Sequence, residues 1–242
     1  MRPLSEPVAL AYGPAALRHQ RFTTLVSTRG ALVRIRVEAT LARYAMAAGL
    51  MMSATTLRDF TVEHLIAADG VTIAHSSLPR GTTVMVATDG RGRVRDALIV
   101  PGWDGAAAAE LPQPGTRAFI EAVNRFPLPV LKADAAAQDA EVFLPVTFPV
   151  GGGQGIEVVR GSGPRLRGAI DCGGPTCLLI KVDEETLFTG PAETVRGTAI
   201  GHMIVTVGPL RIVGALLNLR TEVRRDGRTE VIRSILVSEP TR

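Results

Sequence analysis

The chain has 242 residues, 46% of them hydrophobic and 21% charged, with two cysteines and a formal net charge of +4. That composition excludes a disordered tail, a collagen-like repeat and a disulfide-dense miniprotein. At roughly 150 residues per domain the length allows one or two domains.

Among 27 basic residues only Lys132 and Lys181 are lysines, so the positive charge is carried by arginine, which holds phosphates and carboxylates bidentately. The 23 acidic residues dilute that field. Aromatic residues make up 4%, including Trp103, Tyr12 and Tyr44, too few to build a stacking platform for single-stranded nucleic acid. Met1 to Ala11 carries Arg2 and Glu6 in place of the apolar run of a secretory leader. The longest weakly apolar stretch, Ala45 to Leu57, is broken by Gly49 and Ser53 and is shorter than the roughly 20 residues of a membrane helix. A soluble protein with no membrane span and no leader in the chain as given is expected, its compartment left open.

In chain order, strand patterns dominate. Val33, Ile35, Val37, Ala39 and Leu41 alternate with Arg34, Arg36, Glu38, Thr40 and Ala42, as in a strand with one face in a core and the other in water. Phe60, Val62, His64 and Ile66 repeat the period, as do Val213, Ala215, Leu217 and Leu219. It also fits Val195 to Val207, where Gly197 and Gly201 suggest a bend or a close backbone approach. Asp69-Gly70, Asp89-Gly90 and Asp226-Gly227 each sit between apolar or β-branched runs, and Asp-Gly supplies the positive φ angles of a type I′ turn. Hairpins are therefore predicted near 60–78, 82–100 and 211–237.

The middle reads differently. Gly102 to Pro114 is rich in Ala, Gly and Pro and reads as a loop or brief helical turn. Thr116 to Arg125 predicts a short helix stopped by Pro127 and Pro129, and Lys132 to Glu141 a further helical turn. Pro145 and Pro149 restrict Val142 to Val150 to an edge or irregular strand. The glycine run at 151–155 marks a candidate division into 1–150 and 156–242, set against a single β-rich domain over 1–242. The expected fold is all-β: an antiparallel sandwich, jelly roll or curved sheet with one or two short helices near 116–140.

Signals for chemistry are sparse. Ile156-Glu157 follows the glycine run where a phosphate loop needs Lys-Ser/Thr, so that run reads as a flexible loop. His19, His64, His75 and His202 occur singly, without metal-ligand spacing, and no GxSxG elbow marks a nucleophile. No metal and no cofactor is expected. Cys172 and Cys177 flank Gly-Gly-Pro-Thr between the apolar segments Leu166–Ile170 and Leu178–Val182, where strand ends facing each other across a turn allow a disulfide. An oxidising compartment favours the bond, and a cytosolic one keeps both thiols reduced.

Ala169-Ile170-Asp171-Cys172-Gly173-Gly174 resembles the hydrophobic-hydrophobic-Asp-Ser/Thr-Gly-Ala/Ser signature of the retropepsin-like aspartic peptidases. Ile156, Val158 and a Gly161–Gly163 turn precede it as that family's first hairpin does, and Leu178-Leu179-Ile180 follows it. The resemblance covers residues 156–180. It implies a homodimer in which Asp171 of each subunit shares a proton and activates water. Cys172 stands where the family has a hydroxyl residue, Gly174-Pro175 replaces its small-residue continuation, and its closing Gly-x-Asp/Asn-x-Leu element is missing.

Near the C-terminus Arg220, Arg224, Arg225, Arg228 and Arg233 crowd one predicted hairpin, interleaved with Glu222, Asp226 and Glu230. They form either a solvated ribbon with cross-strand ion pairs or a contact surface for nucleic acid or a partner subunit. The leading functional expectation is a non-enzymatic structural or binding protein, its sheet serving self-assembly into a capsid-like or other homo-oligomer, or partner binding. The alternatives are the dimeric peptidase using Asp171, and a carrier of an apolar ligand in a cavity lined by residues such as Leu41, Met52 and Phe60.

Overall fold

A computed structural model describes residues 1–28, 31–66, 80–100, 129–144, 156–173, 176–191 and 193–241. The strands in chain order are β1 (Val8–Ala9), β2 (Ala15–Thr28), β3 (Ala31–Ala45), β4 (Met51–Ile66), β5 (Thr83–Thr88), β6 (Val94–Val100), β7 (Ala135–Ala136), β8 (Ile156–Ile170), β9 (Cys177–Thr189), β10 (Glu193–Thr206), β11 (Arg211–Arg225) and β12 (Arg228–Thr241). A 3₁₀ turn at Ala47–Gly49 is the only helical element among the described residues. The fold is all-β.

Ten strands form one antiparallel sheet in the order β6-β5-β4-β3-β2-β12-β11-β10-β9-β8, and β1 pairs with β7 in a small second sheet. Two meanders, β2 to β6 and β8 to β12, are joined where the last strand pairs with the first long one, from Arg233 opposite Ser27 to Thr241 opposite His19. The sheet thus takes strands from both sides of the glycine run at 151–155.

Alternation sets the two faces of the sheet. Along β9, Leu178, Ile180, Val182 and Phe188 are buried, while Lys181 and Asp183 between them are exposed. The register carries this phase across the sheet: Ile180 faces Met203, Met203 faces Ala215, and Ala215 faces Ser238. It continues from Ser238 to Phe22, from Phe22 to Val37, and from Val37 to Phe60. The apolar series Val33, Ile35, Val37, Ala39 and Leu41 therefore lies on the same face as the packed core.

The core sits where chain segments cross that face. Leu10 and Tyr12 from the N-terminal segment and Leu131, Val142 and Phe143 from residues 129–144 pack onto Leu166, Ile180, Met203 and Leu217 of the sheet. At the β8 edge Arg2 pairs with Ala169, with N–H to O distances of 2.8 and 2.9 Å in the two directions. Gly168, at φ +146°, makes room for it, since a Cβ there would stand 2.6 Å from the Arg2 carbonyl oxygen. The close approach expected in β10 occurs at Gly201, where a Cβ would fall onto the Leu216 carbonyl.

The β11–β12 hairpin turns at Asp226-Gly227, whose φ angles of 50° and 71° are those of a type I′ turn. The β5–β6 hairpin also forms, but Asp89-Gly90 belongs to a longer loop whose positive φ falls at Gly92. Asp69-Gly70, the Thr116–Arg125 helix and the glycine run lie outside the described residues.

The helical turn expected over Lys132–Glu141 is corrected to short extended pieces around one tight turn, where the Ala140 N–H donates to the Ala137 carbonyl and Asp139 has φ 62°. Ala135–Ala136 pair with β1, Leu131 bridges to Phe143 and Glu141 bridges to Arg165. Burial of Leu131, Val142 and Phe143 at 1% exposure or less outweighs the helix propensity of the alanines between them. The turn expected at Gly161–Gly163 is also corrected. Those residues lie inside β8, where a register shift between Ser162 and Arg165 takes up the irregularity.

Candidate functional site

At one end of the large sheet, β2 begins, β3 ends, and β4 and β11 begin. The register sets Arg18 opposite Leu41 and Arg43 opposite Ser53, all in the phase of the packed face. Together with Leu210 and Arg211 they line a small cleft of about 30 Å³, room for about two water-sized groups.

Three arginines meet there. Arg18 donates from Nη1 to the Ile212 carbonyl at 2.6 Å, and Arg43 donates from Nη2 to the Leu210 carbonyl. The Tyr12 ring lies over the Arg43 guanidinium with 5.1 Å between Cζ and the centroid, and Tyr12 Oη donates to the Pro129 carbonyl at 2.5 Å. Arg43 is 8% exposed and so is Ser53. Arg43 Nη1, Arg211 Nε and Ser53 Oγ have no hydrogen-bond partner among the described residues. Among the described residues no carboxylate lines the cleft.

The electrostatics follow from that arrangement. Burial pushes Arg18 and Arg43 down to about 10, and the neighbouring cations push the same way: Arg43 and Arg211 on Arg18, Arg211 on Arg43. Tyr12 opposes the shift at Arg43. Burial in turn holds the Tyr12 phenol protonated, far above its usual range, with Arg43 opposing.

Beyond this cationic end the same face is first covered, at Gln20 and Ala39, and then carries half-buried apolar residues. Leu41, Ala39, Val37 and Ile35 follow Arg43 along β3, and Gln20, Phe22 and Val26 follow Arg18 along β2. Val26, Ile35, Val37 and Ile232 are half-buried and lie beyond the core cluster. Of the expected cavity residues, Leu41 lines the cleft, and Phe60 pairs with Val37 in the β3–β4 register. Met52 pairs with Tyr44 in the opposite phase, because the β3–β4 register places Ser53, not Met52, beside Arg43.

The opposite face is a mosaic of charges. Arg220 and Arg224 pair with Glu222 at 3.3 and 2.8 Å, while Arg225, in the packed phase at the end of β11, pairs with Glu193. Arg228 is exposed at the turn, and Arg233 is exposed opposite Arg220. Arg34 pairs with Glu63 on the same face. Ile200, Leu216 and Ile235 stand exposed among these charges on three adjacent strands.

Asp171 is exposed just after β8, where its Oδ1 accepts the Gly173 N–H at 2.9 Å in an Asx turn. Cys172 and Cys177 are joined by a disulfide that closes this turn, with Cα atoms 6.2 Å apart. His19 Nδ1 lies 2.9 Å from Arg58 Nη1 and His202 is exposed, while His75 is outside the described residues.

Sequence reading missed the arginine cleft, although one signal for it was present. Arg43 continues the odd-numbered apolar series of β3, and Arg18 stands in phase with Gln20 and Phe22, so both cations occupy positions the pattern reserves for buried residues. Their convergence with Arg211 depends on strand order across nearly the whole chain.

No protein-family profile matches the sequence, and no curated protein matches it. The fold is similar to that of a solved chain from a study of lipid–protein interactions in lipovitellin, with a TM-score of 0.51 and 11% identity. The likeness covers 96% of this chain and 25% of the lipovitellin chain, so this chain spans about a quarter of that chain's length.

Proposed function

We propose that this protein is a non-catalytic binding protein that holds an apolar ligand against the β2–β3–β12 part of its sheet. The observation that carries the reading is the row of half-buried Val26, Ile35, Val37 and Ile232 beyond the packed core, in phase with it across three neighbouring strands. Burial of apolar surface is the main driving force for taking up such a ligand, at about 25 cal/mol per Å². The likeness to a chain from a study of lipid–protein interactions in lipovitellin supports the reading at the level of fold.

A titration with an uncharged, long-chain fluorescent probe tests it. Saturable binding is expected, weakened at least about tenfold by Val37→Asp or Ile35→Asp and unchanged by Ile200→Asp on the opposite face. Absence of saturable binding, or an equal loss with Ile200→Asp, contradicts the reading.

Self-assembly is the second reading, favoured by exposed Ile200, Leu216 and Ile235 side by side on the opposite face. It predicts a mass above that of the monomer in light scattering, reduced by Ile200→Asp. A monomer at all concentrations removes it.

A further inference from the structure

Arginine side chains buried in proteins are ordinarily neutralised, because an unpaired buried charge is costly. In the Arg18–Arg43–Arg211 cleft the fold does the reverse. It brings three cations together with no carboxylate on the lining among the described residues. Glu38, an acid of β3, lies in the opposite phase and pairs with Arg21 at 2.8 Å. The Tyr12 ring shields Arg43 from one side, and two backbone carbonyls take one hydrogen bond each from Arg43 and Arg18. Two further donor atoms, Arg43 Nη1 and Arg211 Nε, are buried without an acceptor among the described residues, as is the Ser53 hydroxyl, on a residue more than nine-tenths buried.

We infer that this cleft is a binding site for a small oxyanion, a phosphate or carboxylate group, held by Arg18, Arg43 and Arg211 with Ser53 as a further donor. A guanidinium presents several N–H groups in a rigid fork that matches two oxygens of such a group. An anion supplies the acceptors these atoms lack and the negative charge the three arginines lack. Burial, with repulsion from neighbouring arginines added to it, pushes Arg18 and Arg43 down, and a bound anion opposes that shift. The cleft's volume suits a head group and not a whole ligand.

The site also deepens the proposed function and, in this part, rests on it. The arginines stand at the end of the same face that carries the apolar row, and six residues along β3 separate Arg43 from Val37, about 20 Å at about 3.3 Å per residue. An amphiphile with an anionic head and an apolar chain would span the two, its head in the arginine cleft and its chain reaching the β2, β3 and β12 row past the Gln20–Ala39 pair, whose side chains are 2% exposed and must part to admit it.

The experiment titrates wild type, Arg43→Gln and Arg211→Gln with three probes. These are inorganic phosphate, a single-chain alkyl phosphate below its micelle concentration, and the uncharged alcohol of equal chain length. Arg211 is only half-buried, so Arg211→Gln reports on the site even if Arg43→Gln does not fold. The expected result is alkyl phosphate binding at least about tenfold tighter than the alcohol, with both variants losing that preference and keeping their affinity for the alcohol. Arginine-dependent binding of inorganic phosphate, with neither long-chain probe bound, upholds the anion site for free phosphate and defeats the apolar-ligand reading. Equal binding of alkyl phosphate and alcohol, insensitive to both variants and with no phosphate bound, overturns the anion site and leaves the apolar-ligand reading standing. No binding of any probe overturns both.

Discussion

Tyr12 covers one side of the Arg43 guanidinium, its ring centroid 5.1 Å from Cζ, while Nη1 of that guanidinium has no hydrogen-bond partner among the described residues. The ring attracts the cation through its quadrupole but offers it no acceptor in the plane. The phenol oxygen instead ties the N-terminal segment to Pro129. Tyr12→Phe is therefore expected to cost about 1 kcal/mol for the lost hydrogen bond. Tyr12→Leu is expected to cost about 2 kcal/mol more, because the cation–π contact goes as well. Urea unfolding of the two variants measures the difference, and equal stabilities would show that the ring does nothing for Arg43.

Repulsion between Arg18 and Arg43 is measurable directly. In a double-mutant cycle of Arg18→Met and Arg43→Met, each single variant relieves the same unfavourable interaction. The double variant is then expected to be less stable than the summed effects predict, by about 1 kcal/mol. Phosphate in the buffer should shrink this coupling. A coupling of the opposite sign would mean that the two arginines support each other.

Much of the fold is legible in the sequence because alternation and turn chemistry are local. The phase of β3 and the Asp226-Gly227 turn follow from a few neighbouring residues. The 132–141 segment is not legible in this way. Its alanines favour a helix, and only the burial of Leu131 and Phe143 against a sheet formed by distant residues overrides that preference. The arginine cleft has the same origin. Arg18, Arg43 and Arg211 lie up to 193 positions apart, and the pairing of β12 with β2 brings their strands together. What the sequence does contain is Arg43 in a buried phase, a local conflict of the kind that marks strained or functional positions.

The loop between β5 and β6 predicts an acid response. Burial raises the Asp89 carboxyl, but hydrogen bonds from the Arg93 and Arg91 N–H groups, together with the Arg95 guanidinium, outweigh it and hold the group below its usual 3.8. A depressed carboxyl contributes stability that is present above its unfolded value and lost as pH falls through the folded one. Between pH 5 and pH 2 the wild type should therefore lose more stability than Asp89→Asn, by less than about 1 kcal/mol after solvent screening. Parallel acid titrations followed by circular dichroism would reject this account.

Reduction of the Cys172–Cys177 bond releases only a short loop. The chain-entropy estimate gives a loss of about 2 kcal/mol, with the sheet intact. Thermal unfolding with and without reductant measures it. Collapse of the fold on reduction would assign the bond a larger role than its loop length allows.

The claim that one face of the sheet takes an apolar ligand is tested most directly by methyl NMR with a spin-labelled amphiphile. The account predicts selective broadening of Val26, Ile35, Val37 and Ile232, with Ile200, Leu216 and Ile235 on the opposite face unaffected. Broadening centred on Ile200, Leu216 and Ile235, or none on either face, would contradict it.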